Sequence, residues 1–183
     1  MEFFFYGTLL DADVRDLVMP HLAGSLSLCP ATLPGFRRVQ ANCGYFPVLS
    51  RHANGRVEGA VVAGLDARAL LLMAHFEGDE YLPRRLPVVE AGQRRFLWVF
   101  MPAHGGYATG RGWSLARWQR GHKRRLIRQT HRWMSEFGAR SLASGDVSWR
   151  ARRTLLQIAR AEAQPRSEER ESAREESYAI AAE

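Results

Sequence analysis

The chain has 183 residues, of which 46% are hydrophobic, and a formal net charge of +7. This length fits one domain with room for an appendage, and the hydrophobic content is that of a globular protein with a buried core. The apolar start at residues 3–6 is too short for a membrane span and lacks a basic leader, so we expect neither an anchor nor a signal peptide.

The positive charge is concentrated towards the C-terminus. Residues 1–110 carry ten basic and ten acidic side chains, whereas residues 111–153 carry twelve basic and two acidic ones. The basicity therefore belongs to an appended segment and not to the chemistry of the first 110 residues. We predict a compact domain at residues 1–110, a basic helical extension at 111–164 and a charged, flexible tail at 165–183.

The first domain is predicted to be mostly β. The aromatic run at residues 3–6 is typical of a buried strand, and Asp11 or Asp13 can then cap a short helix that Pro20 stops. A second helix is predicted at residues 67–76, with Asp66 as its N-cap and an end near Gly78. Further strands are predicted at residues 26–33 (an edge strand, because prolines interrupt it), 36–39, 45–49, 57–63, 86–89 and 95–101.

This element order predicts an α+β fold in which a curved sheet or small barrel carries two short helices. From Ser114 the apolar period changes to three and four, which predicts a long amphipathic helix stopped by Gly138. Another helix is predicted after Asp146, with Leu156 and Ile158 on its apolar side. We expect the first apolar stripe to pack within the chain as a cover, with catalysis confined to residues 1–110.

The sequence lacks the common metal and nucleotide motifs, so we expect no metal and no cofactor. His122 and His131 are nine residues apart and lie on different helix faces, which does not favour a shared ligand. Cys29 has no paired histidine and is interpreted as a small buried residue. With Cys43 it forms neither a disulfide framework nor a metal spacing, and a cytoplasmic location is expected.

Two segments could carry chemistry. Tyr6-Gly7-Thr8-Leu9 follows a strand, and a glycine turn there can present backbone N–H groups to an anion, although a purely structural turn is an equally good interpretation. Glu77 ends an apolar helix and is flanked by Phe76 and Gly78. A carboxyl at the buried end of a helix is desolvated, which raises its pKa and makes it usable as an acid or base near neutrality. A surface glutamate in an acidic loop is the alternative.

Four segments in order make the pattern more specific. They are Tyr6-Gly7-Thr8-Leu9, Gly44-Tyr45-Phe46-Pro47-Val48, Val57-Glu58-Gly59, and Phe76-Glu77-Gly78 with Tyr81 and Arg84. Between residue 3 and about residue 101 the chain thus resembles the gamma-glutamylcyclotransferase-like family, in particular its gamma-glutamylamine cyclotransferase-like subgroup.

The resemblance implies a small mixed-sheet β-barrel with Glu77 as catalytic acid/base. It also implies that Tyr6, Gly7, Thr8, Leu9 and Tyr81 bind the gamma-glutamyl group. The implied activity is that of a carbon–nitrogen lyase, which releases 5-oxoproline and a free amine from a gamma-glutamyl amine or amino-acid conjugate without a metal.

The chain departs from the family at three places. Ala74 stands where the family usually has Asp, Leu82-Pro83 separates Tyr81 from Arg84 and lengthens the predicted loop, and the late strand at 96–100 has no Tyr. The leaving amine and the oligomeric state are therefore left open.

Two other functions compete with an enzyme. One is a catalytically silent module that binds a small anionic metabolite in the same pocket. The other is binding of nucleic acid or another acidic surface by the cationic residues Arg117, Arg120, Lys123, Arg124, Arg125, Arg128 and Arg132. A solvated helix face explains these residues as well and is favoured, so nucleic acid and membrane are not the expected partners.

Overall fold

The computed structural model describes residues 1–78, 80–103, 108–144, 154 and 156–160. In this part of the chain the strands are β1 (Phe3–Phe5), β2 (Leu28–Ala41), β3 (Pro47–Val62), β4 (Tyr81–Glu90), β5 (Gln93–Pro102) and β6 (Ala108–Gly112). The α-helices are α1 (Ala12–Val18), α2 (Ala67–Glu77), α3 (Leu115–Gly121) and α4 (Lys123–Ser144).

The sheet is mixed, and its pairings form a ring. β1 lies between β3, to which it is antiparallel, and β5, to which it is parallel. β5 pairs with β4, β4 with β2, and β2 returns to β3, all antiparallel. These five strands form a small barrel, and β6 pairs with the C-terminal end of β2. The predicted α+β fold is confirmed.

Two predictions about the strands are wrong. The predicted strands at residues 26–33 and 36–39 merge into one long strand, β2 (Leu28–Ala41), and those at residues 45–49 and 57–63 merge into β3 (Pro47–Val62). The register of the β2–β3 pair shifts between Pro34 and Phe36. Pro34 and Gly35 therefore mark a bulge inside one strand and not a turn between two strands. β2 is also not an edge strand, because it pairs with β3, β4 and β6.

Apolar side chains fill both faces of β1. Phe4 and Tyr6 point into one buried cluster, whereas Phe3 and Phe5 point into a second cluster that includes residues of α1 and α2. Because successive side chains of a strand alternate in direction, a run of four buried aromatic residues requires cover on both faces. The barrel covers one face and the helices cover the other.

The C-terminal helices pack onto the second of these clusters, as the apolar stripe predicts. Trp118 is 3% exposed, and the half-buried apolar side chains of α3 and α4 pack against the cluster that contains it. The helix is not continuous, however, because α3 ends at Gly121 and α4 begins at Lys123. It also runs past Gly138 to Ser144, since a helical glycine costs only about 1 kcal/mol.

Three further predictions from the sequence can be compared with the described residues. Cys29 is exposed and not buried. Residues 156–160 are helical, but only Ile158 is buried there, and Leu156 is 55% exposed. Asp146 and the tail at residues 165–183 lie outside the described residues. Among the described helices, none is long and apolar enough to cross a membrane.

Candidate active site

A cavity of about 270 Å³ brings together residues that are far apart in the sequence. Its walls come from β1 and the turn after it, from β3, β4 and β5, and from α2 and α4. All six of the site residues predicted from the sequence line it: Glu77, Tyr6, Gly7, Thr8, Leu9 and Tyr81. Among the described residues that line the cavity, none is a Lys, Arg or His.

Glu77 is the last residue of α2, and the structure explains why it is there. The Asp66 carboxylate accepts a hydrogen bond of 2.7 Å from the Ala69 N–H and begins the helix. Gly78 ends it with φ +64°, a conformation that favours glycine. The half-buried Glu77 side chain therefore meets the cavity at a fixed helix end.

The environment of Glu77 disfavours its charge. Burial raises its pKa to about 8, and the neighbouring Glu80 carboxylate adds to this shift. Near neutral pH the carboxyl can therefore both take up and release a proton, as the sequence predicted for a desolvated helix end.

Two buried tyrosines stand beside this carboxyl. The Tyr6 hydroxyl donates to the Phe100 carbonyl at 2.8 Å, and the Tyr81 hydroxyl donates to the Pro47 carbonyl at 2.7 Å. Burial raises the pKa of Tyr6, and Tyr81 and Glu77 raise it further, so the phenol stays neutral. Because each hydroxyl has used its proton, its oxygen can offer a lone pair to a donor in the cavity.

The glycine turn is held by its carbonyl groups. Arg38 donates to the Tyr6 carbonyl at 2.7 Å. Arg15 donates to the carbonyls of Leu9 and Leu10 at 3.0 and 2.8 Å. Two guanidinium groups thus fix the backbone of the turn from outside the cavity and place positive charge behind it.

The remaining two carbonyls of the turn accept from its own backbone. The Gly7 carbonyl accepts from the Leu10 N–H and the Thr8 carbonyl from the Asp11 N–H, both at 3.0 Å. These bonds begin at Leu10, so the N–H groups of Gly7, Thr8 and Leu9 precede the first bond and have no acceptor within the turn. Such a row of N–H groups suits a carboxylate or an oxyanion.

Gly7 is needed for closeness and not for an unusual φ. Its φ is −117°, outside the left-handed region. A Cβ atom at this position would lie 3.0 Å from the Pro47 Cγ, and Pro47 is buried in the opposite wall of the cavity. The turn therefore approaches β3 as closely as a residue without a side chain allows.

Gly7→Val should consequently damage ligand binding more than folding. We expect kcat/KM to fall about 100-fold, because the valine side chain keeps the ligand from the N–H groups of the turn and so weakens a contact of the oxyanion-donor kind. We expect the free energy of unfolding to fall by about 1–2 kcal/mol through overpacking. Gly112→Val is the matched control, since a Cβ there meets nothing within 4 Å. Parallel losses of activity and of stability in Gly7→Val would favour a purely structural turn.

The structure also resolves two departures from the family pattern. Leu82 and Pro83 lie within β4 and pair with Met101 and Phe100, so they do not lengthen a loop, and that prediction is wrong. Ala74 is buried in α2, and its carbonyl accepts from the Gly78 N–H at 3.2 Å, which closes the helix end without an Asp.

The sequence did not identify every residue at the site. Leu126 and Gln129 of α4 line the cavity, although catalysis was predicted to be confined to residues 1–110. The sequence indicated these two residues only through their positions in the amphipathic pattern of α4. Arg15 and Arg38 read as ordinary surface residues, because nothing local indicates which carbonyl an arginine will reach.

The other candidate ligands do not converge. His122 stacks on Tyr45 with ring centroids 3.7 Å apart, whereas His131 is exposed. In the described part of the chain no group of three or more His, Cys, Asp or Glu side chains could hold a metal ion.

The fold is shared with proteins of known structure. One solution structure of an Arabidopsis thaliana protein is 25% identical, covers 70% of this chain and 86% of its own, and superposes with a TM-score of 0.52. A second solution structure from Arabidopsis thaliana is 20% identical, covers 75% and 83%, and also has a TM-score of 0.52.

The sequence identifies the family. Residues 3–120 match the family described as gamma-glutamyl cyclotransferase, AIG2-like. AIG2-like protein B of Arabidopsis thaliana is 27% identical over 132 residues, which span 68% of this chain and 72% of that protein. The chain therefore belongs to the gamma-glutamyl cyclotransferase, AIG2-like family, and the predicted resemblance is confirmed at the level of this family. This membership supports a cyclotransferase-type activity.

Proposed function

We propose that this protein is a metal-independent carbon–nitrogen lyase of the gamma-glutamylamine cyclotransferase type. Its substrate is a gamma-glutamyl amine or amino-acid conjugate, and its products are 5-oxoproline and a free amine. One observation carries the proposal: the cavity brings together Glu77, whose pKa is raised to about 8, and the turn at Gly7, Thr8 and Leu9, whose N–H groups precede the first hydrogen bond within the turn.

The reaction uses Glu77 twice. Its carboxylate takes a proton from the substrate α-ammonium, and the freed nitrogen attacks the γ-carbonyl carbon to form a five-membered ring. The bond from that carbon to the leaving nitrogen then breaks as the Glu77 carboxylic acid gives its proton to that nitrogen. The Glu77 carboxylate formed in this step takes the second proton from the ring nitrogen, which becomes the lactam N–H, and passes it to the released amine, which leaves as an ammonium ion. No water is consumed, and the γ-carbonyl oxygen stays in 5-oxoproline.

The other groups of the cavity orient the glutamyl portion. The N–H groups of Gly7, Thr8 and Leu9 bind the α-carboxylate or the developing oxyanion, a role that falls to backbone dipoles where no cationic side chain lines the described walls. The hydroxyl oxygens of Tyr6 and Tyr81 accept hydrogen bonds from the α-ammonium and hold it towards Glu77.

The substrate itself supplies much of the catalytic advantage. Attacking nitrogen and electrophilic carbon belong to one molecule, so most of the orientation entropy of their encounter is absent from the barrier. What the protein must add is a proton acceptor of suitable pKa and a site for the negative charge. The reaction as written requires neither an enzyme nucleophile nor a Lewis acid.

A panel of gamma-glutamyl compounds tests this function. Gamma-glutamyl alkylamides and gamma-glutamyl amino acids would each be incubated with the protein, and 5-oxoproline would be measured by mass spectrometry. We expect equimolar 5-oxoproline and amine from at least one member. Saturable binding of panel members without turnover at any pH from about 6 to 9 would instead favour the silent metabolite-binding module.

One observation supports the alternative function of binding nucleic acid or another acidic surface. Six arginines of α3 and α4 are exposed: Arg117, Arg120, Arg124, Arg125, Arg128 and Arg132. Lys123 is the exception, because its ammonium pairs with Asp11 and Asp13 at 2.8 Å. Binding to nucleic acid that is tight and falls steeply with salt would support this alternative over a solvated helix face.

A further inference from the structure

We propose that α4 forms part of the active site, where Gln129 and Leu126 contact the leaving amine of the substrate and select it. This inference rests on the proposed cyclotransferase function and assigns the part of the substrate that varies. The match to the family model ends at residue 120, so both residues lie beyond that match.

The two residues occupy the open end of the cavity. Both line it, and their spacing of three places them on one face of α4. Gln129 is exposed and Leu126 is half-buried, whereas Tyr6 and Thr8 are buried in the same cavity. The barrel and the glycine turn therefore form the deep end, and α4 forms a wall beside solvent.

The N-terminal end of α4 is tied to the glycine turn. Asp11 follows the turn directly and is 3% exposed. Its carboxylate accepts hydrogen bonds of 2.8 Å from both Lys123 and Gln119, while its other oxygen caps α1. These contacts hold the pKa of Asp11 below its usual value against the opposing effect of burial, so the carboxylate stays charged.

The middle of α4 is tied to the helix end that carries Glu77. The Trp133 indole N–H donates to the His75 carbonyl at 2.8 Å, and the His75 Nε2 lies 3.0 Å from the Trp133 carbonyl. The two rings stack with centroids 4.7 Å apart. Because His75 is two residues before Glu77, α4 and the catalytic helix end are fixed to one another.

The position of α4 indicates which part of the substrate it contacts, namely the leaving amine. Ring closure involves only the glutamyl atoms, which the turn holds at the deep end, while the half-buried Glu77 reaches the reacting nitrogens from the end of α2. The leaving amine therefore projects towards α4. There Leu126 offers apolar contact, and the Gln129 amide offers a donor and an acceptor, while Phe46 and Phe76 make other parts of the cavity lining apolar. We therefore infer preference for an amine with a short apolar stem followed by a hydrogen-bonding group.

Two substrates that differ only in the leaving amine test this role. Gamma-glutamyl propylamide lacks the distal polar group that gamma-glutamyl 3-hydroxypropylamide carries. We expect Gln129→Ala to lower the preference for the hydroxylated amide about fivefold in kcat/KM, mainly through KM, as for loss of one neutral hydrogen bond. Arg128→Ala is the control, since Arg128 is exposed on the same helix and does not line the cavity.

An unchanged ratio in Gln129→Ala, or an equal change in Arg128→Ala, would overturn the inference. Absence of 5-oxoproline from every gamma-glutamyl amide with the wild-type protein would refute the proposed function instead. Calorimetric titration of the same two amides then decides about α4 separately, because a loss of their affinity difference in Gln129→Ala alone supports the subsite. Equal affinities in both proteins, or no binding to either, would refute it.

Discussion

Glu77→Gln is expected to lower kcat by about 10² to 10⁴, the usual contribution of a positioned acid or base. Gln has nearly the shape of the protonated side chain that predominates in the empty cavity at pH 7, so the fold and KM should change little. It cannot take a proton from the substrate ammonium or return one to the leaving amine. The measurement is steady-state 5-oxoproline release, with circular dichroism as the check on folding.

Glu80→Gln supplies the matched control. Glu80 lines the same cavity, but it is exposed, and its carboxylate helps to raise the pKa of Glu77. This variant should keep its turnover and move the acidic limb of kcat/KM to lower pH, because the repulsion that disfavours the Glu77 carboxylate is gone. Turnover by Glu77→Gln within a few-fold of the wild type would contradict the acid/base role.

The second large effect is on stability as a function of pH. The pKa of Glu77 is about 8 in the folded protein, against 4.5 as its ordinary value. The folded state binds the proton more tightly, so the contribution to stability is fully present below pH 4.5 and is lost as pH rises through 8. Between pH 5 and 9 this loss amounts to about 4 kcal/mol.

Glu77→Gln should therefore gain stability relative to the wild type as pH rises. We expect the two free energies of unfolding, from urea titrations, to lie close together near pH 5 and to separate by about 4 kcal/mol near pH 9. Asp16→Asn is a suitable control for the loss of a carboxylate away from the cavity, because Asp16 is exposed and does not line the cavity. A difference between wild type and Glu77→Gln that stays constant over this range would contradict the desolvated state of the carboxyl.

Local signals in the sequence were sufficient to predict α2 with Glu77 at its end and β1 with the glycine turn after it. Asp66 and Gly78 bound an apolar helix of the right length, so the place of Glu77 could be predicted from capping alone. The strand at residues 3–6 and the glycine turn after it could be predicted equally well, because a buried aromatic run and a turn residue are adjacent in the chain.

The pairing of strands that are far apart in the sequence could not be predicted from local signals. Proline and glycine interrupt β2 at residues 34 and 35, and a bulge inside one strand has the same local signature as a break between two. Whether β2 lies at an edge depends on ring closure through partners far away in sequence. The contribution of α4 to the cavity was missed for the same reason, since the amphipathic pattern predicts a buried face but not what it covers.

The central claim is that an internal amine, and not water, attacks the γ-carbonyl carbon in this cavity. It is tested most directly by turnover of a gamma-glutamyl alkylamide in water enriched in ¹⁸O, with the products identified by mass spectrometry. Cyclisation predicts one 5-oxoproline per amine released and no ¹⁸O in the 5-oxoproline, because its carbonyl oxygen comes from the substrate. Glutamate carrying one ¹⁸O in its γ-carboxyl would show hydrolysis and contradict the account.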